Sequence, residues 1–357
     1  MINVTKSFLP PIEEYKEYLT KIWDTAYLTN QGPLVKELES KLKKYLGVEH
    51  LLFVSNGTIA LQLAIKVLDL KGEIITTPFS YVATTTSILW ENCTPVFADI
   101  NPKSFCINPN EIEKHITPKT SAILATHVYG YACDVVKIEE IAKKYNLKVI
   151  YDGAHAFGVN VYGKSIFNFG DISTISFHAT KLYHTIEGGA IIVKDEKLAE
   201  KLELYRSFGH VADSYYTIGI NAKNSEFHAA MGLCNLPKVN DIIENRKKTV
   251  LLYKKLLEES NLFFPQQHPE QEFNYAYFPV VFRSEAALLK VKMALANKNI
   301  NTRRYFYPSL NKLPYLAKKD SCPVSEDVSI RVLCLPLFFD VNHIDVEKIC
   351  NIINTAN

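Results

Sequence analysis

Leu51-Leu-Phe-Val-Ser-Asn-Gly-Thr-Ile-Ala-Leu-Gln-Leu-Ala-Ile-Lys-Val-Leu-Asp-Leu70 decides the architecture. A short apolar run, a polar turn at Gly57 and a stretch of helical apolar spacing read as strand 51–54, turn 55–58 and helix 58–70. The alternation continues through strand 73–77, helix 82–91, strand 95–98, helix 109–116, strand 121–125, helix 135–145 and strand 147–151. Short apolar strands separated by helices predict an α/β fold, with a parallel or mostly parallel sheet covered by helices on both faces. Upstream, 12–27 and 34–46 have helical spacing around the turn-forming Leu28-Thr-Asn-Gln-Gly-Pro33. Downstream, the β-branched runs 172–177 and 190–193 read as interior strands, antiparallel or mixed, that hold the loop between them. Helix 195–207 follows, then a helical stretch 225–259 that Pro237 kinks or breaks. Strand 277–283, helix 285–297, a short strand near 300 and a final helix 344–353 complete the chain. The expectation is a large domain over 1–238, with an N-terminal helical segment, and a small C-terminal α+β domain over 239–357.

Composition narrows the functional classes. A formal charge of +2, with Lys and Glu interspersed, leaves no footprint for nucleic acid. Seven scattered cysteines without CxxC spacing argue against a disulfide frame or a zinc site and for a reducing compartment. The N-terminus lacks the pattern of a signal peptide, and no apolar run approaches the ~20 residues of a membrane span. The expectation is a cytoplasmic protein without membrane, nucleic-acid or metal partners.

In such sheets ligands sit beyond the carboxyl ends of the strands. No GxGxxG follows the first strand, which disfavours a dinucleotide site. Ser55-Asn56-Gly57-Thr58 instead suits either a phosphate on free helix N–H groups or a plain N-cap. Tyr81, in Thr77-Pro-Phe-Ser-Tyr-Val-Ala-Thr84, suits stacking on an aromatic ligand or packing between helix and sheet. Asp152, in Asp152-Gly-Ala-His155, ends an apolar strand, where a carboxylate is costly unless it meets a cation or caps a helix. Lys181 lies in Ser176-Phe-His-Ala-Thr-Lys181, among His178, His184 and Tyr183, with Glu187 nearby. A desolvated lysine amine loses its proton and forms a Schiff base with an aldehyde. A phosphate cradle, a stacking surface, an acid and such a lysine together match what pyridoxal 5'-phosphate (PLP) requires.

These stretches, with Glu187-Gly-Gly189 and Gly219-Ile-Asn-Ala-Lys-Asn-Ser-Glu226, resemble the DegT/DnrJ family of sugar-nucleotide aminotransferases, of the fold-type I group of PLP enzymes, over nearly the whole chain. The resemblance implies that Lys181 bonds the cofactor's aldehyde and then shuttles the substrate proton, and that Asp152 pairs with the pyridine nitrogen. It also implies that His155 lies near the ring hydroxyl, that Tyr81 stacks on the ring, and that Gly57, Thr58 and Ser176 bind the phosphate. Asn221 resembles the asparagine that reaches the phosphate from the neighbouring subunit, which implies a homodimer with shared sites. Asn56 stands where the family often has Ser, and Tyr81 where it often has Trp or Phe.

Relatives with histidine in place of the lysine act as dehydratases, so Lys181 implies transamination. The Ser-Phe-His-Ala-Thr-Lys form followed by Glu-Gly-Gly resembles members acting at C4 of a 4-keto-6-deoxyhexose. Members acting at C3 more often carry Tyr-Pro-Gly-Lys followed by Gly-Asp-Gly-Gly. The implied reaction converts dTDP-4-keto-6-deoxyglucose to dTDP-4-amino-4,6-dideoxyglucose with L-glutamate as donor, for a surface polysaccharide. The runner-up is C3 amination of a 3-keto isomer, and a regulatory relative without catalysis is a third class. Arg303-Arg304-Tyr-Phe-Tyr-Pro308 reads either as charge and stacking for the sugar nucleotide or as a structural turn.

Overall fold

The computed structural model describes residues 1–317 and 320–356. Its centre is a seven-stranded sheet built from β1 (His50–Val54), β2 (Glu73–Thr76), β3 (Thr94–Phe97), β4 (Thr120–Thr126), β5 (Lys148–Asp152), β6 (Ile172–Ser176) and β7 (Gly189–Val193). The spatial order is β1-β7-β6-β5-β4-β2-β3. Neighbours from β6 through β3 are parallel, while β7 runs antiparallel to both β6 and β1. The sheet is therefore mostly parallel, and β6 and β7 form an antiparallel pair.

Alternate residues of each strand enter different cores, as the period of two requires. Phe53, Ile123, Tyr151 and Ile175 face one layer, and Leu52, Leu124, Ile150 and Ile191 face the other. The helices α1 (Ile12–Thr25) and α2 (Pro33–Leu46) belong to the first layer, through Ile22, Leu38 and Leu42. α3 (Gly57–Val67) supplies Ala60, Leu61 and Ala64 to the second. Helix α4 (Val82–Trp90) follows β2, α5 (Val135–Tyr145) precedes β5, and α6 (Glu196–Arg206) follows β7.

The stretch expected to kink or break at Pro237 is two helices, α7 (Glu226–Asn235) and α8 (Val239–Leu256), joined by a 3-10 turn over Leu236–Lys238. Beyond it, β8 (Phe278–Val281) pairs antiparallel with β9 (Val332–Leu335). The helices α9 (Glu285–Ala296) and α11 (His343–Ala356) pack there with α8 in a core of their own, around Val250, Leu288 and Ile349. Helix α10 (Pro323–Arg331) has no counterpart in the sequence reading. The strand expected near 300 is reduced to isolated bridges, Ile300 parallel to Ile2 and Arg303 antiparallel to Cys334. Ile2 N–H donates to Asn299 O and Asn301 N–H to Ile2 O, so the pairing partner there is the N-terminal segment. Among the described residues no helix is long and apolar enough to cross a membrane. All seven cysteines are free and buried.

Candidate active site

β1 to β6 run in one direction, so their carboxyl ends share an edge, and Gly189 at the start of the reversed β7 joins them there. The turn after β1 is capped by Asn56, whose Oδ1 accepts the Ile59 N–H at 2.9 Å. Gly57 and Thr58 are the first two residues of α3, where backbone N–H groups have no partner within the helix and the helix dipole is positive. A Cβ on Gly57 would stand 2.9 Å from Ser176 Cβ, and one on Gly189 2.6 Å from the Asn56 carbonyl carbon. Only glycine lets this turn press against the ends of β6 and β7, and the contact sets the Ser176 side chain beside the α3 N-terminus.

Asp152 closes β5 and is buried. Its Oδ2 accepts from Thr84 Oγ1 at 2.7 Å and its Oδ1 from the Ala154 N–H at 3.1 Å. Burial pushes its carboxyl up from the usual range, against the pull of Thr84, the Ala154 N–H and the Lys181 charge. His155, three residues on, is also buried, and its Nδ1 accepts the Tyr129 N–H at 3.1 Å. That bond leaves the ring proton on Nε2. Burial, then the nearby Lys181 charge, holds the imidazole well below its ordinary pKa, so it is neutral. Phe306 lies parallel to it, with ring centroids 5.7 Å apart, and Tyr277 meets it edge-on at 4.9 Å.

Lys181 sits in the loop after β6, half-buried, with Nζ 3.5 Å from Tyr277 Oη. Burial pulls its ammonium down to about 8, with Asp152 and Tyr81 opposing and Arg303 adding to the shift. Lysine and acid are thus within electrostatic reach of each other on one edge. Glu187 does not join them; it faces His178 Nε2 at 3.4 Å on the surface. Nor does His184, which is buried with Nε2 2.6 Å from Phe8 O and so anchors the N-terminal segment.

Tyr81, just before α4, is 53% exposed. It lines a cleft of about 210 Å³ with Arg303, Tyr305, Tyr307 and Pro308. The two arginines of that segment differ. Arg304 is tied to Glu285 Oε1 at 2.7 Å and to Ile330 O at 3.0 Å, and it covers the Tyr307 ring at 3.6 Å. Arg303 is exposed, with its guanidinium over the Tyr305 ring at 4.5 Å. A larger cavity of about 410 Å³ lies at the opposite edge of the sheet, beside Leu147, Gly170 and Lys194, away from these groups.

Asn221 is exposed, in an isolated bridge with Ser207. Other polar residues of its loop have partners in their own chain. Asn224 Nδ2 donates to Glu187 O at 3.0 Å, and the Ser225 side chain caps α7.

The sequence reading missed Tyr277 and Tyr129, and it read Phe306 only within the 303–308 stretch and not as a neighbour of His155; all three reach the lysine or the histidine from distant segments. It also assigned no part to Thr84, although Thr84 lies in a stretch it singled out. Its signal is a hydroxyl in the first turn of α4, four residues past the Ser80 hydroxyl of the preceding loop.

Residues 11–354 match the profile of the DegT/DnrJ/EryC1/StrS aminotransferase family. The dTDP-4-amino-4,6-dideoxy-D-glucose transaminase of Shigella dysenteriae is 41% identical, over 99% of this chain and 98% of that protein. The Escherichia coli protein of the same name is 40% identical with the same coverage. The crystal structure of DesI in the presence of its TDP-sugar product superimposes with a TM-score of 0.94 at 30% identity, covering 99% of this chain and 92% of that one.

Proposed function

This chain belongs to the DegT/DnrJ/EryC1/StrS aminotransferase family, and on that premise we propose that it aminates C4 of dTDP-4-keto-6-deoxyglucose to give dTDP-4-amino-4,6-dideoxyglucose, with L-glutamate as donor. The observation that carries the reaction is that Lys181, in the loop after β6 with Nζ 3.5 Å from Tyr277 Oη, stands within electrostatic reach of the buried Asp152 at the end of the neighbouring β5. The carbon and the nucleotide are supported by whole-length identity to two transaminases named for the 4-amino product.

Aminotransferases of this family depend on PLP, and the residues present fit it. The cradle at Gly57, which a Cβ would close, offers N–H donors and the Ser176 hydroxyl to a phosphate. A carboxylate stands at the other end. When bound, the cofactor withdraws electrons from the carbon that carries nitrogen, which makes that carbon's proton acidic. Asp152 would keep the pyridine nitrogen protonated, and His155 would offer its Nε2 proton to the ring hydroxyl. Tyr81 would cover one ring face, with Gly57, Thr58 and Ser176 on the phosphate. Lys181 Nζ, neutral in a sizeable fraction of molecules near neutrality, would take the substrate proton and return it. Arg303, exposed in the cleft beside Tyr81, would meet the charge of the sugar nucleotide.

The same reading makes the protein a homodimer in which Asn221 enters the partner's site. Support comes from apolar side chains left exposed around Asn221: Phe208, Val211, Tyr215, Tyr216 and Ile218.

The test is a two-stage assay on protein loaded with PLP. L-Glutamate should bleach the visible band of the lysine-bound cofactor, and dTDP-4-keto-6-deoxyglucose should restore it. NMR of the product should place nitrogen on C4. Nitrogen on C3, or a band the sugar leaves bleached, refutes the substrate assignment; a band that ignores glutamate refutes the donor.

A further inference from the structure

Behind Asp152 lies a line of three buried hydroxyls. Thr126 Oγ1 is 3.1 Å from Ser80 Oγ, Ser80 Oγ is 2.8 Å from Thr84 Oγ1, and Thr84 Oγ1 is 2.7 Å from Asp152 Oδ2. Their exposures are 1%, 2% and 0%, so bulk water does not complete these bonds. The direction of each bond follows from counting protons. A hydroxyl has one to donate. Thr84 spends its proton on the carboxylate, so Ser80 must donate to Thr84, and Thr126 to Ser80. All three hydroxyls therefore donate in one sense along the line, which ends on Asp152. The line also spans the fold. Thr126 ends β4 and is the register partner of Asp152 on β5, Ser80 lies in the loop after β2, and Thr84 is in the first turn of α4.

We propose that Thr126, Ser80 and Thr84 form a one-directional hydroxyl relay that keeps the Asp152 side chain ionised and aimed at the cofactor ring nitrogen. They are positioning residues; none is placed against substrate or cofactor. The inference rests on the reading of Asp152 as the partner of that nitrogen. An aspartate at the end of an apolar strand pays for burial with its charge, and a charged acceptor strengthens each donor lined up behind the first. The titratable groups around Asp152 are Lys181 from the loop after β6, His155 in its own loop, and His127 and Cys133 from the loop after β4. Of these, Lys181 is the one whose charge favours the carboxylate. Thr84 and the Ala154 N–H supply the rest of that support, and only the Thr84 bond can be tuned from a distance.

The experiment measures the dissociation constant of pyridoxamine 5'-phosphate from the apoprotein across the acid range. This ligand has no aldehyde for Lys181, and its own phosphate titrates at about pH 6 in every variant alike, so the part of the acid limb that Asp152→Asn removes reports protonation of Asp152. Thr84→Val should move the midpoint of that limb up by about one to two pH units, the worth of a charge-assisted bond. Ser80→Ala and Thr126→Val should each move it by about 0.3 unit, the scale of cooperative strengthening. Thr126→Ser should restore the parent profile. In a Ser80→Ala background, Thr126→Val should add nothing, because the line is already broken. Profiles of Ser80→Ala and Thr126→Val that superimpose on the parent, or shifts that simply add, would overturn the relay. Asp152→Asn separates the two levels: it should weaken binding and leave only the limb of the ligand's phosphate. If it does neither, the reading of Asp152 falls and the relay with it. If it does both while Thr126 and Ser80 have no effect, the relay alone falls.

Discussion

Lys181 offers a direct measurement of the electrostatics of the site. Its amine stands at about 8 instead of 10.5, chiefly through burial. At about pH 7.5 an amine of that pKa is neutral in about one molecule in four, against about one in a thousand at the ordinary value, roughly a two-hundred-fold gain in nucleophile. The Asp152 carboxylate works against this gain, because its charge favours the ammonium. Asp152→Asn should therefore lower the lysine further, by about one pH unit for a single partly screened charge. The assay is the pH dependence of Lys181 modification by an amine-reactive reagent in the apoprotein, read by peptide mass spectrometry. Exposed lysines such as Lys197 serve as internal reference. The expected half-maximal pH is about 8 for the parent and about 7 for the variant. A parent midpoint close to 10.5 would refute the desolvation argument, and a midpoint that rises in Asp152→Asn would refute the coupling.

Four further outcomes are expected. Lys181→Ala should abolish turnover while the cofactor still binds noncovalently, measured by single-turnover kinetics and equilibrium dialysis; unchanged turnover would end the mechanism. Asn221→Ala should weaken cofactor retention in the proposed dimer, and an unaltered dissociation constant would remove Asn221 from the site. Glu226 is buried, and its carboxylate accepts the Leu34 N–H at 2.8 Å and the Val35 N–H at 3.0 Å at the start of α2. Glu226→Ala should cost about 3 kcal/mol in urea unfolding, from two charge-assisted bonds, and a loss under about 1 kcal/mol would mean that water replaces the carboxylate. His127 is buried, and its pKa is lowered to about 3 from 6.5. The unfolded chain then binds the proton that the folded chain refuses, so stability rises with pH across that window and is lost as pH falls through 6.5. Between about pH 7 and about pH 5 this group should remove about 2 kcal/mol. His127→Asn should flatten the slope by that amount, and an unchanged slope would refute the assignment.

Much of the sheet was legible because its strands are short apolar runs between amphipathic helices, a pattern carried by local residues. The helix expected over 135–145 is Val135–Tyr145, and the strands either side of Lys181 are Ile172–Ser176 and Gly189–Val193. Val332–Leu335 escaped notice because four apolar residues after a polar helix carry no period. The strand sought near 300 is reduced to isolated bridges because its partners, Ile2 and Cys334, lie on separate, distant segments. At the site, Lys181 and Asp152 stood out by chemistry, being ionisable groups at the ends of buried strands.

What the sequence by itself determined is the order of strands and helices through the seven-stranded sheet and the residues that follow each of its strands, since both depend on neighbours along the chain. The tertiary structure alone decided which groups face those residues. Tyr277 reaches Lys181 across 96 positions, Thr84 reaches Asp152 across 68, and Thr126 reaches Ser80 across 46. A hydroxyl in a sequence has no direction; it acquires one when packing excludes water and leaves a single acceptor within reach.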